Sequence, residues 1–152
     1  MDRVTNVGRS AEVPLEDRIG ITDLFARYAW SLDTRDIDAF GENFAPDGVI
    51  DMPGVGRFEG REEVRRYGRM LTDDAAYPGR QHWIGQSLIE PNALGCSVRS
   101  YAMVTLRPAS GPCSILSLGY YSDQCVKLEN RWVFAARVFR RWEGDVLSRF
   151  LA

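Results

Sequence analysis

One lysine and one histidine, Lys127 and His82, serve the whole chain, and its three cysteines, Cys96, Cys113 and Cys125, include no C-x-x-C spacing. That inventory excludes a Cys/His zinc site of any familiar kind. The thiols read as reduced, partly buried side chains of a cytoplasmic protein. No stretch approaches the ~20 apolar residues needed to span a bilayer, and the N-terminus carries acids and no apolar signal core. The expected setting is therefore soluble and cytoplasmic. Charge of one sign is missing too. The net charge is −2, and the many arginines are scattered among carboxylates, so no long-range field recruits nucleic acid or an anionic membrane. There is no G-x-S-x-G elbow and no second histidine to activate a serine. Gly54-Val55-Gly56 lacks the strand–helix setting of a phosphate loop. Asp47, Asp51 and Glu59 are too dispersed to argue for a metal. No cofactor is expected.

What is present fits one domain. The 152 residues are 45% hydrophobic and 26% charged, and a chain of this size buries roughly 70% of its unfolded surface without disulfides. Residues 1–14 read as a loose tail, and residues 15–152 as a single domain. Ile21, Leu24, Phe25, Tyr28 and Leu32 recur at spacings of three and four, which predicts a helix from about Glu16 to Asp33. Asp36 suits the N-cap of a second helix, Ile37 to Phe44, and Pro46-Asp47-Gly48 reads as a turn. A short strand from Val49 to Met52 and a third helix from Arg61 to Leu71 follow. Then the chemistry of the chain becomes β. Arg80–Glu90, Gly95–Arg107, Ser114–Leu128 and Arg131–Glu143 are four long strand candidates, with turns at Pro91-Asn92, Pro108 to Pro112 and Glu129-Asn130. Gly85 and Gly119 are candidate bulges or bends. Gly144 to Ala152 reads as a final half-turn or an interface tail.

Helices followed by a meander give an α+β fold, a curved antiparallel sheet with about three helices on its concave side. Such a cone encloses an apolar pocket for a small organic molecule, with Met52, Phe58 and Phe139 as its lining. His82 shares a strand face with Ile84, Gln86 and Leu88, where an imidazole can pass protons in either direction. The same spacing also allows a hydrogen-bonded core histidine. Asp33, at the end of the first helix, reads as the group that orients that imidazole, or else as an exposed turn aspartate. Tyr28 lies on the inward helix stripe, its hydroxyl free to donate to a substrate oxygen or resting at the rim. Arg137 shares a face with Val133, Ala135 and Phe139 and needs an anionic partner, either developing charge or a structural acid. Trp83, Trp132 and Trp142 read as core or subunit-interface packing.

Several segments together resemble a known family. They are Asp23-Leu24-Phe25-Ala26-Arg27-Tyr28 through Asp33, Phe44-Ala45-Pro46-Asp47-Gly48, Phe58-Glu59-Gly60-Arg61, Arg80-Gln81-His82-Trp83-Ile84-Gly85 and Arg131-Trp132-Val133-Phe134. Over residues 15 to 143 the chain resembles the SnoaL-like branch of the nuclear-transport-factor-2-like superfamily, near the scytalone dehydratase, bile-acid 7α-dehydratase and lindane dehydrochlorinase group. The resemblance implies a cone-shaped barrel and a catalytic aspartate and histidine at Asp33 and His82. It places a pocket tyrosine on Tyr28 and an arginine on Arg137. It also implies cofactor-free elimination, commonly of water, and a homo-oligomer, either trimer or dimer. The second histidine of scytalone dehydratase has no counterpart, and Tyr28 stands where the dehydrochlorinase has lysine. The expected activity is a lyase of the dehydratase type, acting on a small apolar polyketide-, terpenoid-, steroid- or aromatic-like molecule. An isomerase or cyclase, or a non-catalytic binding domain, is the alternative.

Overall fold

The computed structural model describes residues 12–144. Helix α1 runs Leu15–Asp33 and α2 Ile37–Gly41; strands β1 (Phe44–Met52) and β2 (Gly56–Glu59) precede α3 (Arg61–Thr72). Four long strands complete the chain: β3 (Arg80–Asn92), β4 (Gly95–Leu106), β5 (Ser114–Leu128) and β6 (Arg131–Arg141). The stripe that predicts α1 is buried throughout, from Ile21 to Leu32. Asp36 caps α2 by accepting the Ala39 N–H at 3.0 Å, though α2 stops at Gly41, short of Phe44.

The six strands form one sheet in the order β2-β1-β6-β5-β4-β3. β3 to β6 make the expected antiparallel meander. β1 joins it alongside β6 in parallel, a pairing local periodicity does not announce. β2 and β3 remain as edges, so the sheet curls without closing into a barrel. α1 packs against both β3 and β6, strands separated by two others, and only a curved sheet lets one helix touch both.

Three local expectations change. Pro46-Asp47-Gly48 bends within β1 rather than preceding it: Phe44 pairs with Phe134 and Val49 with Ala136, so the residues between are extra. Gly48 is there because a Cβ would lie 2.8 Å from the Phe134 carbonyl oxygen. The β3–β4 turn falls at Ala93-Leu94, with Pro91 and Asn92 still paired in the strand. The expected tail of residues 1–14 falls largely outside the described residues, as does most of the Gly144–Ala152 segment. Val13, however, is buried in the core and its carbonyl accepts from Arg18 Nε at 3.3 Å.

Two bulges decide which side chains face inward. Between Gly85 and Leu88 the β3–β4 register slips by one residue, and a one-residue slip moves every later side chain to the other face. Leu88 is therefore 59% exposed, while Ile89 packs on the core. His82 therefore shares its face with Ile84 but not with Gln86 or Leu88, both of which are exposed. A second slip on β6 opposes Cys125 with Phe134 and Gln124 with Ala136. Arg137 consequently shares its inward row with Phe134 and Phe139, not with Val133 and Ala135. Gly85 is at a bulge as expected. Gly119 instead permits close packing, since a Cβ there would lie 2.2 Å from the Arg140 carbonyl oxygen.

α1 is pinned at both ends. Near its start, Asp17 accepts from Lys127 Nζ at 2.8 Å and from Trp132 Nε1 at 3.0 Å. At its end, Tyr77 donates to the Leu32 carbonyl at 3.0 Å, and the next residue, Asp33, is delivered to β3. No helix among the described residues is long and apolar enough to cross a membrane.

Candidate active site

The last residue of α1 and the third of β3 meet. Asp33 Oδ1 lies 2.5 Å from His82 Nδ1, and Oδ2 accepts the backbone N–H of His82 at 2.9 Å. A carboxylate held on two sides by one residue fixes both the ring's position and its tautomer. The proton belongs on Nδ1, which leaves the Nε2 lone pair directed away from Asp33. The His82 and Asp33 side chains are 10% and 17% exposed, sheltered but not sealed. An imidazole so placed can exchange protons with a molecule that reaches it.

Tyr28 rises from α1 to meet the pair. Its ring stands perpendicular to the imidazole, with centroids 6.5 Å apart, and it is 1% exposed. Burial holds its phenol well above the ordinary value. Phe40, Phe44, Phe134 and Tyr121 surround it, with centroids between 5.2 and 6.2 Å away. Tyr121, on β5, meets its ring edge to face.

Arg137 is completely buried and has its anion. Nε and Nη2 reach the Asp123 carboxylate at 2.9 and 2.7 Å, a fork geometry only arginine provides. Burial opposes the charge, but Asp123 more than compensates and raises the Arg137 pKa. The guanidinium also lies over the rings of Tyr121, Phe134 and Tyr28, 3.9, 4.0 and 4.2 Å from their centroids. The structural ion pair is thus the alternative realised, and Arg137 meets the dyad's surroundings only through the rings it lies over. Its Nη1 has no hydrogen-bond partner among the described residues.

The structure brings Asp33, His82 and Tyr28 together and sets Arg137 behind them. Of the expected pocket lining, Phe139 packs on Tyr121 at 5.4 Å. Phe58 stacks on Tyr67 at 5.0 Å and Met52 packs beside the core, both on the β1–β2 side of the sheet. The ring that meets the imidazole is therefore a tyrosine, Tyr28, with the Arg137 guanidinium over it. An open hollow of about 630 Å³ lies elsewhere, against Trp83, Tyr101, Met103, Leu118 and Trp142. Trp83, Tyr101 and Leu118 are exposed there, away from the dyad.

Sequence reasoning missed Asp123 and Tyr121. Only part of the signal was available. Counting back from the Glu129-Asn130 turn sets Asp123 opposite Ala136, one residue from Arg137, and the β6 bulge supplies that residue. Tyr121 and Cys125 lie two residues either side of Asp123 and share its inward face.

This helix-lined curved sheet defines the nuclear-transport-factor-2-like, or cystatin-like, fold. Residues 13–138 match the SnoaL-like domain, and the chain belongs to the SnoaL-like family. It is similar to a point variant of Rv3472, a Mycobacterium tuberculosis protein of unknown function, at 26% identity and TM-score 0.75, over 95% of this chain and 83% of that one. A Nostoc punctiforme protein of unknown function with a cystatin-like fold shares 25% identity at TM-score 0.77, over 90% and 99%. A Novosphingobium aromaticivorans protein named after scytalone dehydratase shares 21% identity at TM-score 0.74, over 85% and 86%. No curated protein matches the chain.

Proposed function

We propose that the chain is a cofactor-independent lyase of the dehydratase type, using His82 as the proton-transfer group on a small, largely apolar, oxygen-bearing organic molecule. The observation that carries this reading is the two-handed grip of Asp33 on His82. Nε2 removes a proton from carbon beside a carbonyl. The resulting imidazolium, stabilised by Asp33, returns that proton to the departing hydroxyl, so that water leaves and a double bond forms. The tyrosine hydroxyls supply the donor that stabilises the enolate oxygen. Proton transfer by a positioned imidazole contributes about 10²–10⁴-fold. An isomerase would use the same base but return the proton to carbon.

The exposed apolar side chains of β3 to β5 support a homo-oligomer, since a face bearing Trp83, Tyr101 and Leu118 in water is costly unless covered.

The test is incubation with a panel of β-hydroxy ketones on aromatic, polyketide-like and terpenoid-like skeletons, read by mass spectrometry for loss of water. Turnover by the wild type that falls at least about a hundredfold in His82→Ala and Asp33→Asn is expected. Equal turnover in all three proteins, or no turnover of any member, sinks the proposal. Conversion without change of mass favours the isomerase.

A further inference from the structure

The dyad sits near the end of β4, where Val104 pairs with His82. Near the start of the same strand lies a buried thiol that takes no part in proton transfer. Cys96 stands directly opposite Cys125 across the β4–β5 ladder. Both side chains belong to the core, 3% and 0% exposed, and both are free. Residues opposed in an antiparallel pair have Cα atoms about 4.5–5.5 Å apart, inside the range of about 4.4–6.8 Å that a disulfide spans. Their Cβ atoms share one face of the sheet at about 4.5–5.5 Å. The sulfurs therefore meet by rotation about the Cα–Cβ bonds, with little movement of the backbone.

The fold holds the two strands together at this point. Gln124 Nε2 reaches the carbonyl oxygens of both cysteines, at 3.3 and 3.2 Å, so one amide clasps both backbones. Asn92, at the end of β3, anchors that amide by donating to Gln124 Oε1 at 2.8 Å. Beside the pair, Gly95 lets the backbones approach more closely than a side chain allows. A Cβ there would lie 2.4 Å from the Cys125 carbonyl oxygen. Cys113, the third thiol, is exposed and precedes β5 at the opposite end of the same hairpin. Burial also pushes the Cys96 and Cys125 thiols up. Exchange proceeds through the thiolate and needs access, so the closed core resists oxidant and reductant alike.

We propose that Cys96 and Cys125 are a disulfide site, joined when the chain folds in an oxidising medium, and that the closed core then preserves the state in which it formed. The oxidant is a small disulfide such as oxidised glutathione. While the strands are parted, one cysteine thiolate attacks that disulfide, breaking its S–S bond and releasing one glutathione thiolate. The second cysteine thiolate attacks the protein-bound sulfur of the mixed disulfide, the Cys96–Cys125 bond forms, and the second glutathione leaves. The two cysteine protons end on the two glutathione thiols. Two cysteine thiols are thus oxidised and one glutathione disulfide is reduced. The site is independent of the dyad and of its chemistry.

The test follows the full-length chain, with Cys113 as the internal comparison. Reduced, folded protein is incubated with oxidised glutathione, and a second sample is refolded from urea in a glutathione redox buffer. Remaining thiols are alkylated in denaturant and located by mass spectrometry of peptides. The folded sample is expected to react at Cys113 alone. The refolded sample should carry a Cys96–Cys125 link and keep it in dithiothreitol until urea is added. It should also melt at least about 4 °C above the reduced form, because the cross-link restricts the unfolded chain. Cys113→Ser should retain the link. A refolded chain with Cys96 and Cys125 both free, or a link that involves Cys113, overturns the proposal. So does a melting temperature that fails to rise, or a pair that is oxidised or reduced as fast in the folded chain as in the unfolded one.

Discussion

Asp33 engages His82 with both of its oxygens, one on the ring nitrogen Nδ1 and one on the backbone N–H of the same residue. The helix end and the strand are thereby locked in one geometry, because the carboxylate that holds the ring also holds the backbone of the same residue.

Asp33→Asn should reveal this lock directly. The amide oxygen must still accept the His82 N–H, so its NH₂ faces Nδ1. The ring then carries its proton on Nε2 and loses its base. Because the chain has a single histidine, ¹⁵N NMR shows one imidazole. The expected result is a change from the Nδ1–H to the Nε2–H tautomer with little loss of thermal stability. An unchanged tautomer contradicts the orienting role.

The Arg137–Asp123 pair is buried completely, and removing one partner strands the other's charge. Asp123→Asn should cost about 3–5 kcal/mol in unfolding free energy. The double variant Asp123→Leu/Arg137→Met removes both charges and should recover a large part of that loss. Urea denaturation of the three proteins checks this. A single variant as stable as the wild type would remove the structural reading of the pair.

Asp17 gives a pH signature. Its carboxyl is held below the ordinary value, first by the hydrogen bond from Lys127 and then by that from Trp132. A depressed carboxylate contributes stability above its unfolded pKa and loses it as the pH falls through the folded one. The Asp17 side chain is part-buried, but its partner Lys127 stands in solvent, so screening keeps the effect small. Asp17→Asn should lower the melting temperature by at most about 2 °C at neutral pH and flatten the decline on acidification below about pH 4. Thermal melts of both proteins across that range provide the check.

The outer face is tested by charge. Trp83→Lys with Leu118→Glu should leave the circular dichroism spectrum intact and shift the protein to monomer mass in light scattering. Monomeric wild-type protein would remove the assembly proposal.

The helices and the four long strands were legible because their side-chain periods are regular, as in the Ile21-to-Leu32 stripe. The site pair was legible from its residue types and the family pattern. What was not legible depends on irregularity. The slips after Gly85 and near Ala135 turn Leu88 outward and align Arg137 with Phe134, and no fixed period foresees a residue that breaks the period. β1 was cut short because Pro46 and Gly48 mimic a turn that is a bend within the strand. The Asp123–Arg137 contact needed the hairpin register and the bulge together.

The position of β6 has a consequence for synthesis. Among the described strands the last to leave the ribosome is β6, which lies between β1 and β5, so the β1–β2 hairpin and the β3–β5 meander have no seam until residues 131–141 emerge. Arg137 arrives with that strand, leaving Asp123 an unpaired carboxylate until then. A nascent chain stalled before residue 131 would therefore expose two incomplete half-sheets, and the seam between them closes only after residues 131–141 have emerged.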